Sequence, residues 1–273
     1  MLRRRGFTLV EIVLALVIML VVSGALHRLL FSTQRLTRKQ LEQVALQSSL
    51  RAGSLVVVNE LRELSTRSGG TADENDVLRI APSGVTYRAM RGIGFICQAS
   101  SAGTIRIDRA RFTGHRDPRP GRDMAYVFVP GDPGKAVPDS WLGLAITGVA
   151  NAVCPGTRGP GMTLTVPEAS AETGVELGTP VRIAEVMELR LYQSDGQSWL
   201  GARSVSAGEP IQPVVGPLAE AAGFRLEYLT GAGTPTTDPT SVKSVKVTLR
   251  GQVKGHLEEE LITQVTLRNS FRQ

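Results

Sequence analysis

The sequence predicts an α+β protein: a long N-terminal helix, transmembrane in its first part and amphipathic in its second, packed on a β-rich antiparallel head. Three observations carry this. Phe7 to Leu26 is a run of twenty residues in which Glu11 is the only charge. No proline occurs between residues 7 and 81, and apolar positions recur at helical spacing as far as Leu64. From Val77 onward the pattern changes to short apolar or alternating segments punctuated by Pro and Gly, the mark of strands.

The N-terminal run comes first. A helix rises about 1.5 Å per residue, so Phe7–Leu26 covers roughly 30 Å, the thickness of a bilayer core. Arg3, Arg4 and Arg5 precede it, which favours a cytoplasmic N-terminus and an exported remainder. Ser23-Gly24-Ala25 has the small residues of a secretory cleavage site. The apolar pattern nevertheless continues through Leu29, Leu30, Leu36 and Leu41, so an anchor is expected rather than conventional signal cleavage. Glu11 is the anomaly. A carboxylate in lipid costs a few kcal/mol at least and marks function or finds a partner, unless it lies near the membrane edge and snorkels into the headgroups.

Past the membrane run, Leu46, Leu50, Gly53, Val57, Leu61 and Leu64 step by three or four residues and make one apolar stripe. The helix is therefore expected from residue 7 to about residue 65, near 90 Å in length. Its second half is expected to lie against a sheet, with Gly53 permitting close backbone approach. Arg38 with Glu42, and Glu63 with Arg67, are spaced for weak surface pairs.

Ser65–Asp76 reads as a polar linker. Val77–Ala81 and Val85–Met90 flank Pro82-Ser83-Gly84, a hairpin turn, and Gly92–Gln98 and Thr104–Asp108 read as two further strands. Arg111–Asp123 is a Pro/Gly/Arg loop whose Arg111, Arg116, Arg119 and Arg122 are expected in solvent. Ala125–Val129, Trp141–Val149 and Met162–Val166 are strand candidates. Arg182–Gln193 suits either helix or strand; Asp195-Gly196 after Tyr192 is a hairpin signal and decides for strand. In the C-terminal third, Phe224–Leu229, Val245–Arg250 and Leu261–Leu267 alternate as half-buried antiparallel strands. Gly231–Ser241 reads as a flexible loop, and Glu258-Glu259-Glu260 as a solvated turn rather than a calcium loop.

The chain has 273 residues and a formal net charge of +6. Half of that excess lies in Arg3, Arg4 and Arg5, so nucleic-acid binding is not inferred from it. Cys97 and Cys154 are the only cysteines. One pair in an exported head is a disulfide candidate, with two separate buried thiols as the alternative. His27, His115 and His256 show no ligand spacing, and neither metal nor cofactor is expected.

Arg5-Gly6-Phe7-Thr8-Leu9-Val10-Glu11, followed by the aliphatic run, resembles the N-terminal motif of type IV prepilins and type II secretion pseudopilins. The resemblance implies that a prepilin peptidase/N-methyltransferase cuts between Gly6 and Phe7 and methylates the new amine of Phe7. Glu11 becomes the fifth residue of the mature chain, placed to pair with the amine of a neighbouring subunit. It also implies partners among other pilins or pseudopilins through their N-terminal helices, and a single-pass location in the inner membrane with an extracytoplasmic head before filament assembly. Major pilins often carry a proline further along this helix; its lack here points to a minor subunit. A more diffuse similarity links Asp76–Cys97, Phe-Arg-Leu-Glu-Tyr-Leu at 224–229 and Val-Lys-Val-Thr-Leu-Arg at 245–250 to J-type minor pseudopilins and PilW-like minor pilins. In those proteins a long helix packs on a β-rich head with two sheet layers. The organisation implied is a leader at 1–6, a transmembrane and polymerisation helix at 7–30, an amphipathic helix at 31–68 and a β-rich head at 69–273.

Catalysis is not expected, because Gly-x-Ser-x-Gly, paired-cysteine metal sites and phosphate loops are all missing from the sequence. Asp195 and Glu209 have turn or loop explanations. The leading expectation is a minor pseudopilin at the tip or in the initiating complex of a type II secretion pseudopilus. The alternatives are a minor pilin of a type IV pilus, serving adhesion, motility or DNA uptake, and a single-pass membrane-anchored binding protein.

Overall fold

The computed structural model describes residues 8–68, 72–101, 103–131, 134, 138–167, 176–220, 222–253 and 257–268. The chain divides into two compact units, Met1–Ser48 and Ser49–Gln273. A single helix, α1, runs from Leu9 to Arg62 over 54 residues, about 80 Å. Its composition explains its length: Leu, Ala, Val, Gln and Arg fill it, and proline is missing.

Within the first unit, Leu9, Leu14, Val17, Met19, Leu20 and Val21 are all exposed. By length and composition this helix can cross a membrane. Within the second unit, Leu50, Val57 and Leu61 turn inward and are buried. The helix stops three residues short of the expected end because the next residues are captured by the head. Leu64 and Thr66 are buried, and the Thr66 hydroxyl donates to the Val242 carbonyl at 2.5 Å. Lys243 Nζ donates to the Thr66 carbonyl at 3.1 Å, and the Arg268 amide donates to the Arg62 carbonyl at 2.8 Å. Glu63 and Arg67 therefore do not share a helix face; Arg67 pairs with Glu74 at 3.0 Å instead.

The head is an antiparallel β structure. Its strands are β1 (Val77–Ala81), β2 (Gly84–Ser101), β3 (Thr104–Asp108), β4 (Thr113–Gly114), β5 (Asp123–Val129), β6 (Ser140–Ala145) and β7 (Gly148–Val153). They continue with β8 (Pro160–Thr165), β9 (Pro180–Ser194), β10 (Gln197–Ser204), β11 (Gln212–Leu218), β12 (Phe224–Leu229), β13 (Ser244–Val253) and β14 (Leu257–Thr266). β2 and β9 form the spine, paired from Gly84–Arg190 to Phe95–Pro180. The other edge of β2 carries β1, β4 and β3 in succession. The other edge of β9 carries β5 at Val181–Glu185 and then β10 at Met187–Ser194. β8 and β7 extend from β3, β6 extends from β5, and β11, β13, β12 and β14 extend from β10.

Two layers follow from this branching. Ile96, Ile105, Ile107, Met162, Leu164 and Val166 from the β2-end/β3/β8 layer share one core with Ala125, Val127, Leu144, Ile146, Val181 and Ile183 from the β5/β6/β9 layer. In β12 the burial alternates strictly, with Phe224, Leu226 and Tyr228 inside and Arg225 and Glu227 outside, as a half-buried strand requires. The Tyr228 hydroxyl donates to the Gly84 carbonyl at 2.8 Å and lies 3.2 Å from that of Ala81, pinning the β1–β2 turn.

Several local expectations differ from the structure. Val85–Met90 and Gly92–Gln98 are one strand, interrupted by a bulge at Arg91 that shifts the register between Met90 and Gly92. Trp141–Val149 is two strands, because the chain leaves β5 after Ala145 and re-enters on β8 at Gly148. β11 has no counterpart in the sequence reading. Pro213 and Pro217 disguise it, and its pairing with β10 is irregular at those positions. Glu260 lies in β14, not in a turn, and pairs across to Arg250 at 2.9 Å. Gly231–Ser241 is ordered by a Thr230–Thr234 backbone bond at 2.9 Å and by Asp238, whose carboxylate accepts from the Thr240 amide at 3.0 Å. The Asp195-Gly196 turn matches expectation: both residues are left-handed, with φ of 52° and 71°, the geometry of a two-residue hairpin.

The Ser65–Asp76 connection is polar, but it is stitched to its surroundings. The Ser65 amide donates to Asp76 at 2.8 Å, and the Arg67 amide donates to Asn75 Oδ1 at 2.7 Å. Arg88 donates to the Asn75 carbonyl at 2.8 Å and stacks over Tyr126 at 4.7 Å. Arg182 lies 3.5 Å from Asp76 and over the Trp141 ring at 5.2 Å. Burial pushes the Asp76 carboxyl up, against the charges of Arg182 and Arg88 and the bond from Ser65.

Candidate processing and assembly segment

The helix opens with reciprocal bonds. The Glu11 amide lies 3.4 Å from Thr8 Oγ1, and Glu11 Oε2 accepts from the Thr8 amide at 3.0 Å and from the Thr8 hydroxyl at 3.1 Å. Thr-Leu-Val-Glu is thus a capping box: the N-cap hydroxyl serves the third helical amide, and the third helical carboxylate returns to the N-cap amide. Two donors that helix geometry leaves without partners are satisfied. The sequence reading singled out Glu11 and passed over Thr8, although the Thr-x-x-Glu spacing is a local signal for this arrangement. Glu11 therefore has an intrachain role at the helix start as well as the intermolecular one expected of it.

Gly6 and Phe7, the expected cleavage pair, lie outside the described residues. Immediately after them, the apolar side chains from Leu9 to Val22 are exposed around the helix. A helix with apolar side chains on every face suits lipid or sister helices.

Cys97, near the end of β2, and Cys154, after β7, form a disulfide with a Cα–Cα separation of 5.5 Å. Cys154 is fully buried. The bridge closes a sequence separation of 57 residues and ties the second layer's edge to the spine. These cysteines are remote in sequence from Glu11, and the two sets of residues do different work: one opens the helix, the other closes the head.

Of the four loop arginines expected in solvent, Arg111 and Arg119 are exposed, but the half-buried Arg116 and Arg122 join an ion cluster around a buried carboxylate. Glu185 sits on β9 where β5 gives way to β10, and its side chain is 1% exposed. Arg91, Arg116 and Arg122 converge on it at 2.9, 3.1 and 2.5 Å. Arg116 also grips the buried Asp123 with two bonds, at 2.5 and 2.8 Å, and Arg122 reaches Glu209 at 2.5 Å. Arg111 lies over the Phe95 ring at 5.3 Å. Burial raises the Glu185 carboxyl, but bonds from Ser204 and Arg91 and the charges of Arg91 and Arg122 outweigh it and hold the group at about 2. Bulge residue Arg91 and loop residues Arg116 and Arg122 are far from Glu185 in sequence, so no local spacing announces the cluster. Its members bond to one another across β2, the loop before β5, and β9, so the cluster joins these elements.

Among the described residues, no group of three or more His, Cys, Asp or Glu side chains is arranged to hold a metal.

Residues 1–26 match the prokaryotic N-terminal methylation motif. No curated protein and no solved structure matches the chain. The motif supports a type IV pilin-like protein, and it implies processing by a prepilin peptidase and assembly with other pilins. Together with the apolar helix it fits a membrane-anchored protein.

Proposed function

We propose that this chain is a minor pseudopilin, a structural subunit and not a catalyst, assembled at the tip or in the initiating complex of a type II secretion pseudopilus. The observation that carries the reading is the methylation motif at residues 1–26, which runs without a break into a 54-residue helix with a large antiparallel head behind it. In this reading the peptidase cuts between Gly6 and Phe7 and methylates Phe7. The new amine sits at the positive end of the helix dipole, and Glu11 of a neighbour pairs with it. Two charges that would each be costly in lipid then neutralise one another and fix axial register.

The head lies on the exported side of the inner membrane. Cations flank the apolar span on both sides, Arg3–Arg5 before it and Arg28, Arg35, Arg38 and Lys39 after it, so flanking charge alone does not orient the helix. The Cys97–Cys154 bridge favours an oxidising compartment. The size of the head favours a secretion pseudopilus over a type IV pilus. Deletion separates the two: loss of protein export with intact twitching supports the former, and the reverse supports a minor pilin.

The decisive measurement is the mass of the mature N-terminus in native membranes. A chain beginning at a methylated Phe7 is expected, and a Gly6→Val variant is expected to keep its leader. A native chain retaining Met1–Gly6 would overturn the reading and leave a single-pass anchored ectodomain.

A further inference from the structure

Just beyond its apolar span the helix becomes cationic along one side. Arg28, Arg35 and Lys39 are seven and four residues apart; at 3.6 residues per turn they return to nearly the same face. Arg38 borders this stripe, and all four side chains are exposed. No Asp or Glu occurs from Ile12 to Leu41. The next carboxylate, Glu42, faces Arg38 at 3.3 Å and leaves the positive excess in place.

The position of the stripe decides what it meets. Leu9–Leu26 spans about 27 Å, so Arg28 enters the headgroup zone of the far leaflet. His27 and Phe31 pack edge to face there, ring centroids 4.4 Å apart. Arg35 and Lys39 follow about 10 and 16 Å further along the axis. Their long flexible stems reach back toward the surface, within about one Debye length of it.

We propose that Arg28, Arg35 and Lys39 bind anionic phospholipid headgroups of the leaflet on the head's side. This rests on the helix crossing the membrane, and not on where the leader is cut. Each cation near an anionic surface strengthens association roughly fivefold, so the stripe selects anionic lipid around the helix while the subunit waits in the bilayer.

The test reconstitutes the full chain in nanodiscs of phosphatidylcholine with a minority of phosphatidylglycerol, and counts the lipids retained on the protein by native mass spectrometry. The ratio of retained phosphatidylglycerol to phosphatidylcholine is expected to exceed the bulk ratio at least about fivefold. The triple variant Arg28→Gln, Arg35→Gln, Lys39→Gln is expected to lose most of that excess, and Arg28→Lys with Arg35→Lys to keep it. The leader arginines are common to all three chains, so the difference isolates the stripe. If the triple variant fails to enter discs, Arg35→Gln alone provides the reading, with a partial loss expected. Bulk composition around the native chain, or equal enrichment in the Gln variants, overturns the proposal. So does loss of enrichment on adding inorganic phosphate at constant ionic strength, which would assign the stripe to free anions. The same spectra report the mass of the chain, so an uncut leader is seen separately.

Discussion

Gly53 of α1 and Val215 of β11 approach so closely that a methyl group on the glycine would fall 2.2 Å from Val215 Cγ2. The glycine is a contact surface, and the helix lies on the sheet at the distance its bare backbone allows.

Gly53→Ala should therefore destabilise the head. The helix gains about 1 kcal/mol of propensity, while overpacking costs about 1–3 kcal/mol. The balance is expected to be a loss, read as a lower midpoint in thermal melts followed by the sheet's circular dichroism. Val215→Ala should restore part of it in the double variant. An unchanged or higher midpoint for Gly53→Ala alone would show that the contact is not tight.

Glu185 makes head stability depend on acid. Its carboxyl is held at about 2 against an ordinary 4.5, so the folded state favours the charged form. That stabilisation is complete above the ordinary value, and is lost as pH falls from about 4.5 toward 2. Glu185→Gln should flatten the melting midpoint across this window. At neutral pH it should cost about 3–5 kcal/mol, because Arg91, Arg116 and Arg122 lose a common partner. Parallel pH profiles for the native chain and the variant would contradict the assignment.

The Cys97–Cys154 bridge closes a loop large enough to contribute about 4 kcal/mol in the chain-entropy treatment. Thiol titration of the unfolded protein should find no free thiol without reductant and two with it. The Cys97→Ser, Cys154→Ser double variant should lose stability of that order in urea. Equal thiol counts under both conditions would refute the bridge.

On the proposed pairing, Glu11→Val should preserve membrane insertion and cleavage, yet lower filament incorporation more than tenfold, because a neighbour's amine would keep its charge without a partner. The comparison is made by immunoblot of sheared filaments against membranes. Unaltered incorporation would leave the carboxylate only its two intrachain bonds from Thr8.

What could be read from the sequence follows from range. The leader motif is local, and so is the alternation that makes β12 bury Phe224, Leu226 and Tyr228. The same locality exposed the Asp195-Gly196 turn. The capping box was equally local but lay beneath the more conspicuous charge of Glu11. Arg116 and Glu185 are a different case. They are 69 residues apart, and only the end-to-end seating of β5 and β10 on β9 brings them together. β11 was hidden for the opposite reason: its prolines speak locally against a strand that its neighbours nevertheless hold in place.

The clasp at the foot of α1 has a mechanical consequence. The Arg62 carbonyl receives the Arg268 amide, and Thr66 is held by Val242 and Lys243. Tension entering at the foot of the helix would pass into β13 and β14, whose paired positions run from Ser244–Thr266 to Val253–Leu257. Both anchoring points, Val242–Lys243 and Arg268, lie at the Ser244–Thr266 end of that pair, so the two strands are held to the end of the helix together and neither moves without the other.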